Sequence, residues 1–238
     1  MENGSFWYRE HNSLDYDLMI ESPPNIPAAQ RAEERISVPG RDGVLRIDQG
    51  RYEPITVSYE MAFVPPGRRV EPLAREIKAW LLSGRGDYKL VDTYDKDYFR
   101  VASFSGPLDI ENIFNWGARF TLDFLCNPYK YSHMGQYPLE LSSASEITNP
   151  ELFESLPRIR VIGSGSCELY LNNTTIKISD VSEYVDIDSE AKQVFKGTEN
   201  MNPKTVMGEF PVLVPGENNF DWNSNVTSVE VIPRWRTI

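Results

Sequence analysis

The sequence has few of the residues that build disulfide scaffolds, metal centres or hydrolase active sites. It holds two cysteines and two histidines among 238 residues. Cys126 and Cys167 have no CxxC partner, so we expect buried free thiols and synthesis in a reducing compartment. His11 and His133 lie far apart, and no G-x-S-x-G, H-E-x-x-H or P-loop motif is present. We therefore predict no catalytic residue, no metal site and no cofactor.

Positive charge and long apolar runs are also scarce. Lys and Arg number 24 against 35 Asp and Glu, which gives a net charge of −11. Tight nucleic-acid binding needs clustered basic residues and is not expected, although an acidic surface suits a conduit that DNA passes through. No apolar run approaches the ~18 residues that span a membrane, so we expect no membrane insertion. The opening MENGSFWYREHNS lacks a basic segment followed by an apolar one, so we expect no secretory signal.

What the sequence does contain points to a mainly β protein. Hydrophobic residues make up 40% and aromatic residues 12%, which is enough for a core, and 17 Pro and 15 Gly are spread along the chain. Between residues 33 and 63, two extended segments flank a loop with Pro39-Gly40 at one end and Asp42-Gly43 at the other. The run 55–63 then alternates apolar and polar residues, which predicts a strand with one buried face.

One segment has the periodicity of an amphipathic helix. Apolar residues recur there at i, i+3, i+4, i+7, i+10 and i+11, and Pro72 fits its first turn. Gly84 and Gly86 fit its end. The apolar positions are Val70, Leu73, Ala74, Ile77, Trp80 and Leu81. The spacing predicts one helix over residues 70–82, and no other segment has this pattern.

The composition changes after Tyr131, where Ser becomes frequent and periodicity is lost. We predict a first domain over residues 1–135 and a second over residues 136–238. The second half contains many short β-type runs separated by turn residues, notably at Gly163-Ser164-Gly165. Such a series is typical of a β-sandwich or jelly roll.

Two groups of residues in the second half are candidates for ligand binding. Asp186, Asp188 and Glu190 alternate, so on a strand they would share a face and could ligate Ca²⁺. Our interpretation is instead a solvated face of an edge strand. Trp222 and Trp235 are candidate glycan-binding residues, because an exposed aromatic ring can stack on a sugar, with burial in a core as the alternative.

Six segments of the first half occur in a distinctive order and spacing. They are Arg35–Leu45 (RISVPGRDGVL), the strand from Tyr52, the helix end Ala79-Trp80-Leu81, the strand Tyr88–Asp92, the strand Phe120–Phe124, and Asn127–Tyr131. In this order they resemble the N-terminal domain of the distal tail protein (Dit) family, from long-tailed siphophages that infect Gram-positive bacteria. The resemblance covers residues 1–131.

The resemblance implies a fold and a set of partners. The fold is a tail-tube-like β-sandwich with one α-helix and a β-hairpin, assembled as a homo-hexameric ring at the end of the tail tube. The partners are the major tail (tube) protein, the tail-tip or tail-associated lysin protein, and receptor-binding proteins. In many members a galectin-like or carbohydrate-binding-like β-sandwich follows, and the second half fits that layout. The implied location is the virion tail tip, after assembly in the cytoplasm of the bacterial host.

We therefore predict a structural hub protein of a phage tail rather than an enzyme. A ring subunit needs an extended arm or loop to pair with its neighbour, and our candidate for ring contact is the loop of Pro39, Gly40, Arg41, Asp42 and Gly43. Two alternatives stay open. One is a carbohydrate-binding adhesin whose second half contacts glycans of the host surface. The other is a β-rich hydrolase that uses an Asp/Glu pair.

Overall fold

The computed structural model describes residues 4–63, 70–106, 108, 111–114 and 117–238, with the backbone alone at positions 63, 70, 111–114 and 117. The chain divides into two compact units, residues 1–130 with Ile238, and residues 131–237. Strands dominate the described part, which contains one α-helix. The predicted mainly β class with a single α-helix is confirmed.

The first unit consists of strands, a short 3₁₀ turn at Ser13–Tyr16 and the helix. In chain order its elements are β1 (Phe6–Tyr8), β2 (His11–Asn12), β3 (Leu18–Ile20), β4 (Arg31–Ser37), β5 (Val44–Tyr52), β6 (Ile55–Phe63), α1 (Val70–Leu82), β7 (Tyr88–Asp92), β8 (Tyr98–Phe104), β9 (Glu111–Phe114) and β10 (Gly117–Ser132).

The main sheet of this unit has the strand order β2-β1-β7-β8-β10-β6-β3, and β9 also pairs with β10. Its two ends meet, because the Ile20 N–H in β3 donates to the carbonyl of Gly4 just before β1 (2.8 Å). The sheet is therefore curled around its core. β4 and β5 stand apart as a separate two-stranded sheet.

The alternation predicted for β6 is confirmed. Ile55, Val57, Tyr59 and Met61 are buried, and their strand pairs antiparallel with β10 over nine residues. The side chain of Phe63, the last residue of the predicted pattern, lies outside the described side chains. Burial on one face alone is what a strand at the wall of a curled sheet requires.

The predicted helix is confirmed as α1, and it closes the core of the first unit. Leu73, Ile77, Trp80 and Leu81 are buried in this core, while the side chain of Val70 lies outside the described side chains. The Trp80 Nε1–H donates to the carbonyl of Tyr8 in β1 (3.2 Å). Burial of the indole is therefore combined with a partner for its only polar group.

The turn between β1 and β2 caps this helix. Its two central residues, Arg9 and Glu10, have φ angles of 52° and 67°, as expected for the two-residue turn that matches strand twist. The Arg9 guanidinium donates to the carbonyl of Trp80 and to Ser83 Oγ (3.0 Å). A cation thus lies against a carbonyl of the last helical turn, whose carbonyls have no partner further along the helix.

The regular structure of the second unit consists of strands and short 3₁₀ turns. Its strands are β11 (Leu139–Leu141), β12 (Ser145–Asn149), β13 (Arg158–Leu171), β14 (Thr174–Asp188), β15 (Gln193–Lys196), β16 (Glu199–Asn200), β17 (Thr205–Val206), β18 (Gly216–Trp222), β19 (Val226–Ile232) and β20 (Arg236–Thr237). The long strand β13 pairs with β14 along its length, with β19 over its first part and with β18 at its end.

The predicted turn at Gly163-Ser164-Gly165 is wrong, because these residues lie inside β13. A Cβ atom at Gly163 would lie 2.3 Å from the carbonyl oxygen of Asn225, so the glycine permits close approach of β19. Gly165 has a φ of 79° and stands at the register shift where β13 bulges. The glycines bend one long strand and do not end a short one.

Candidate assembly surface

Nearly all residues of the β4–β5 hairpin are exposed. Its register pairs Ile36 with Leu45, and Glu34 with Ile47. Residues opposite each other in an antiparallel pair share a face, so these four side chains lie on one side of the hairpin. Arg35–Arg46 and Ser37–Val44 are the pairs on the other side.

The first of these sides carries three exposed apolar residues, Ile36, Leu45 and Ile47, which we call the apolar face. They are 37%, 41% and 43% exposed. An isolated two-stranded hairpin is at best marginally stable in water, because it has nothing to bury its apolar side chains against. The apolar face therefore has the chemistry of a surface that another protein covers.

The base of the hairpin is held by charge and ring contacts. The Arg31 guanidinium lies 2.8 Å from the Asp48 carboxylate across the two strands and stacks over the Tyr52 ring at 5.0 Å. The Gly50 backbone N–H and the Arg31 guanidinium lower the pKa of Asp48. The Tyr52 ring meets the Tyr129 ring of β10 edge-on at 5.8 Å. These contacts fix the start of the hairpin and leave its apolar face free.

The predicted ring-contact residues 39–43 form the turn at the tip of this hairpin. All five are exposed. Gly40 and Gly43 have φ angles of 82° and 84°, and a Cβ atom on either would meet nothing within 4 Å. Glycine is thus needed for the turn itself rather than for close packing. The role of these residues in a ring stays a prediction.

The acidic run in the second half is a structural cluster. Asp186 is buried, and both Arg158 and Arg160 contact its carboxylate at 2.9–3.1 Å. Asp188 accepts hydrogen bonds from Arg234 at 2.8 and 2.9 Å. Both carboxylates lie on β14, which has β13 and β15 as neighbours. The interpretation as a solvated edge face is therefore wrong for Asp186 and Asp188, whereas Glu190 is exposed. The described residues contain no group of three His, Cys, Asp or Glu placed to hold a metal ion.

The two candidate glycan-binding tryptophans lie at different depths. Trp235 is 7% exposed and belongs to the core of the second unit. Gly135 packs directly against this residue, since a Cβ atom at position 135 would lie 2.5 Å from the backbone nitrogen of Trp235. Trp222, at the end of β18, is half-buried against the same core. Glycan binding by these residues stays a prediction, and the ring of Trp235 has a structural role.

A cavity of about 360 Å³ opens beside the β15–β16 hairpin. Its lining includes Phe195, four neutral polar residues and the acidic Glu199; the neutral four are Gln193, Thr198, Asn200 and Asn202. Amide and hydroxyl groups beside one aromatic ring are the groups that can bind a neutral sugar. The sequence pattern did not reveal this cavity, because its lining is spread over a hairpin and the turn that follows. Within the described part of the chain, no helix is both long and apolar enough to cross a bilayer.

Comparison with known proteins gives a likeness in structure alone. No protein-family model matches the sequence, and a search of curated proteins finds no relative. Among solved structures, the SPP1 Dit (gp 19.1) protein superposes with a TM-score of 0.75 over 99% of both chains, at 14% identity. It is described as a paradigm of the hub adsorption apparatus in phages that infect Gram-positive bacteria. A chain of the phage p2 baseplate is similar at a TM-score of 0.48 and 10% identity, over 96% of both chains. The chain thus has the fold of the SPP1 Dit protein along its whole length.

Proposed function

We propose that this chain is a distal tail (Dit) family protein, the hub at the end of a siphophage tail. Six copies form a ring that joins the major tail (tube) protein to the tail-tip protein and anchors receptor-binding proteins. The role is structural and not enzymatic, and its place is the virion tail tip after assembly in the bacterial cytoplasm. The net charge of −11 suits a ring through which DNA moves without being held.

The observation that carries this proposal is the uncovered apolar face of the β4–β5 hairpin. A monomer that works alone gains nothing from three apolar side chains held in water on a two-stranded sheet. In a ring every copy covers the face of its neighbour, so no copy keeps it exposed. The Dit-like fold supports the same conclusion independently, because a hub works by joining other proteins. The tip residues 39–43 extend this contact.

In this proposal the two domains have different roles. We assign ring formation to the domain of residues 1–135 and the attachment of outer components to a galectin-like β-sandwich of residues 136–238. The carboxylates of Asp186 and Asp188 are paired with arginines. The Asp92 carboxylate accepts a hydrogen bond of 2.8 Å from the Tyr59 hydroxyl. These acidic side chains serve the structure, which favours the hub over the hydrolase alternative.

A second candidate function is contact with host glycans by residues 136–238. The cavity beside the β15–β16 hairpin favours it, since its lining is rich in amide groups and includes one aromatic residue, Phe195, and one carboxylate, Glu199. Binding of the whole chain to a neutral saccharide, competed by the same sugar in solution and lost on Asn200→Ala, would support this function. Binding that survives Asn200→Ala, or no binding to any saccharide of a panel, would count against it.

Negative-stain electron microscopy of the purified chain tests the hub proposal. The expected images are rings of six copies with a central hole. The matched control is the same protein carrying Ile47→Asp, which places a charge on the apolar face and should abolish the rings. Single compact particles for both proteins at all concentrations would argue against the proposal.

A further inference from the structure

We infer that the apolar face of the β4–β5 hairpin packs on the outer surface of β1, β7 and β8 of a second copy, where it contacts Trp7. The inference deepens the proposed ring by naming the two surfaces that meet, and it rests on that proposed function. Each surface carries apolar side chains that are partly open to solvent in the single chain.

The receiving surface follows from the register of the main sheet. Trp7 in β1 pairs with Val91 in β7, and Lys89 in β7 pairs with Val101 in β8. Lys89 and Val91 are two residues apart on one strand, so all four side chains lie on the same face of the sheet. The core lies on the opposite face, where Phe6 and Leu90 are buried. We call Trp7, Val91 and Val101 the Trp7 patch.

The Trp7 patch is an apolar surface with its largest ring open to solvent. Trp7 is 42% exposed, and Val91 and Val101 are half-buried. An indole on the outer face of a sheet, beside two valines, has the composition of an interface anchor. It can bury against the aliphatic side chains of Ile36, Leu45 and Ile47, each about 40% exposed in the single chain.

The charges at the borders of the two surfaces are opposite. Glu34 lies on the same side of the hairpin as the apolar face, opposite Ile47. Lys89 lies on the same side of the sheet as Trp7, with its ammonium 4.6 Å from the Phe99 ring. In the part of the chain that the structure describes, neither Glu34 nor Lys89 has an oppositely charged partner within ion-pair distance. Docking of the two surfaces pairs the two charges.

A contact between different surfaces also has the symmetry that a ring needs. Each copy carries one hairpin and one Trp7 patch, so each copy donates to one neighbour and receives from the other. Head-to-tail contacts of this kind close into rings when the rotation between copies allows it. A contact of like with like would stop at a dimer.

Crosslinking tests the pairing directly. Two variants, Leu45→Cys and Trp7→Cys, are mixed and treated with a short bismaleimide. The expected product is a covalent dimer that appears in the mixture and in neither variant alone. The matched control replaces Leu45→Cys by Val44→Cys, which places the thiol on the adjacent residue and the opposite side of the hairpin, and no dimer is expected. The two native thiols are buried and give no background.

A charge exchange provides a second test that leaves the fold intact, because both side chains are exposed. Glu34→Lys and Lys89→Glu should each weaken association about threefold, the size expected of an exposed ion pair, and the double exchange should restore it. Association constants come from sedimentation velocity over a concentration series.

The outcomes separate this inference from the hub proposal. A specific dimer between positions 45 and 7, with rescue by the double charge exchange, supports the inference. Rings without the dimer or the rescue overturn the inference and leave the hub proposal standing with another contact. A chain that neither crosslinks nor associates overturns both.

Discussion

Replacing Leu45 by Asp puts a charge on the apolar face of the hairpin, and it should prevent the copies from associating. The three residues of this face are each about 40% exposed. Complete burial of a Leu or Ile side chain contributes about 1.5–3 kcal/mol, so covering the exposed part contributes roughly 0.6–1.2 kcal/mol for each residue. The whole face then contributes about 2–4 kcal/mol to each contact between neighbours.

The substitution Leu45→Asp removes the free energy that one residue contributes to the contact, and it also requires the hydration shell of a carboxylate to be lost. The second cost is on the order of 1–3 kcal/mol for a group left without a partner. Together the two effects weaken each contact by about 2–4 kcal/mol, or roughly 30- to 1,000-fold in the association constant. Because Leu45 is already exposed in the monomer, the thermal stability of the single chain should change little.

The control for this experiment is Val44→Asp. Val44 precedes Leu45 and is 49% exposed, but it pairs with Ser37 on the opposite side of the hairpin. Sedimentation velocity over a concentration series should show the Val44→Asp protein associating like the unmodified chain and the Leu45→Asp protein as a monomer. Equal behaviour of the two variants, whether both associate or both do not, would refute the assignment of the contact to one face.

Three further predictions concern the single chain. Asn218 is fully buried, and its side chain forms hydrogen bonds with three backbone carbonyls and one backbone N–H at 2.8–3.3 Å. Urea titrations of Asn218→Ala should therefore show a free energy of unfolding that is lower by about 3–5 kcal/mol. A comparable loss from Asn219→Ala, at an exposed position, would contradict this reasoning. Burial raises the pKa of Asp188, but hydrogen bonds from Arg234 and two backbone N–H groups outweigh it and leave that pKa below its usual value. Its contribution to stability is therefore present above about pH 4 and is lost as pH falls through the lower native pKa; acid titration should show a weaker pH dependence for Asp188→Asn, and identical acid profiles would argue against the pairing. Burial raises the pKa of both native thiols, in one case to about 11, so neither should react with Ellman's reagent at pH 8 until denaturant is added, and rapid reaction of the folded protein would contradict their burial.

In the first unit, periodicity was enough to predict the elements that bury only one face. The alternation of residues 55–63 predicts β6, and the apolar spacing of residues 70–82 predicts α1, because burial on one side leaves a regular pattern. The glycines and proline at 39–43 likewise predict the turn between β4 and β5.

Long-range contacts account for what the sequence did not predict. Gly163 resembles a turn residue, but it lies inside β13, where the carbonyl of Asn225, in the turn just before β19, approaches it closely. Asp186 resembles a solvated acidic residue, but two arginines on the neighbouring strand β13 allow its burial. Partners distant in sequence do not show in a local pattern.

The apolar face escaped the sequence interpretation for a related reason. Val44 and Leu45 are adjacent in the chain and both apolar, so the run shows no clean alternation. Only the cross-strand register assigns Leu45 to the face with Ile36 and Val44 to the opposite one. Register depends on turn geometry and pairing, which fix a face only once both strands are in place.

The mass of the purified chain in solution tests the central claim most directly. Light scattering across a concentration series should show a mass that rises toward six times the 27.3 kDa of one chain and then stays constant. A plateau at six copies is the result that the hub proposal predicts. A mass that remains at one chain at every concentration, or one that grows without a plateau, would contradict a closed ring of this protein.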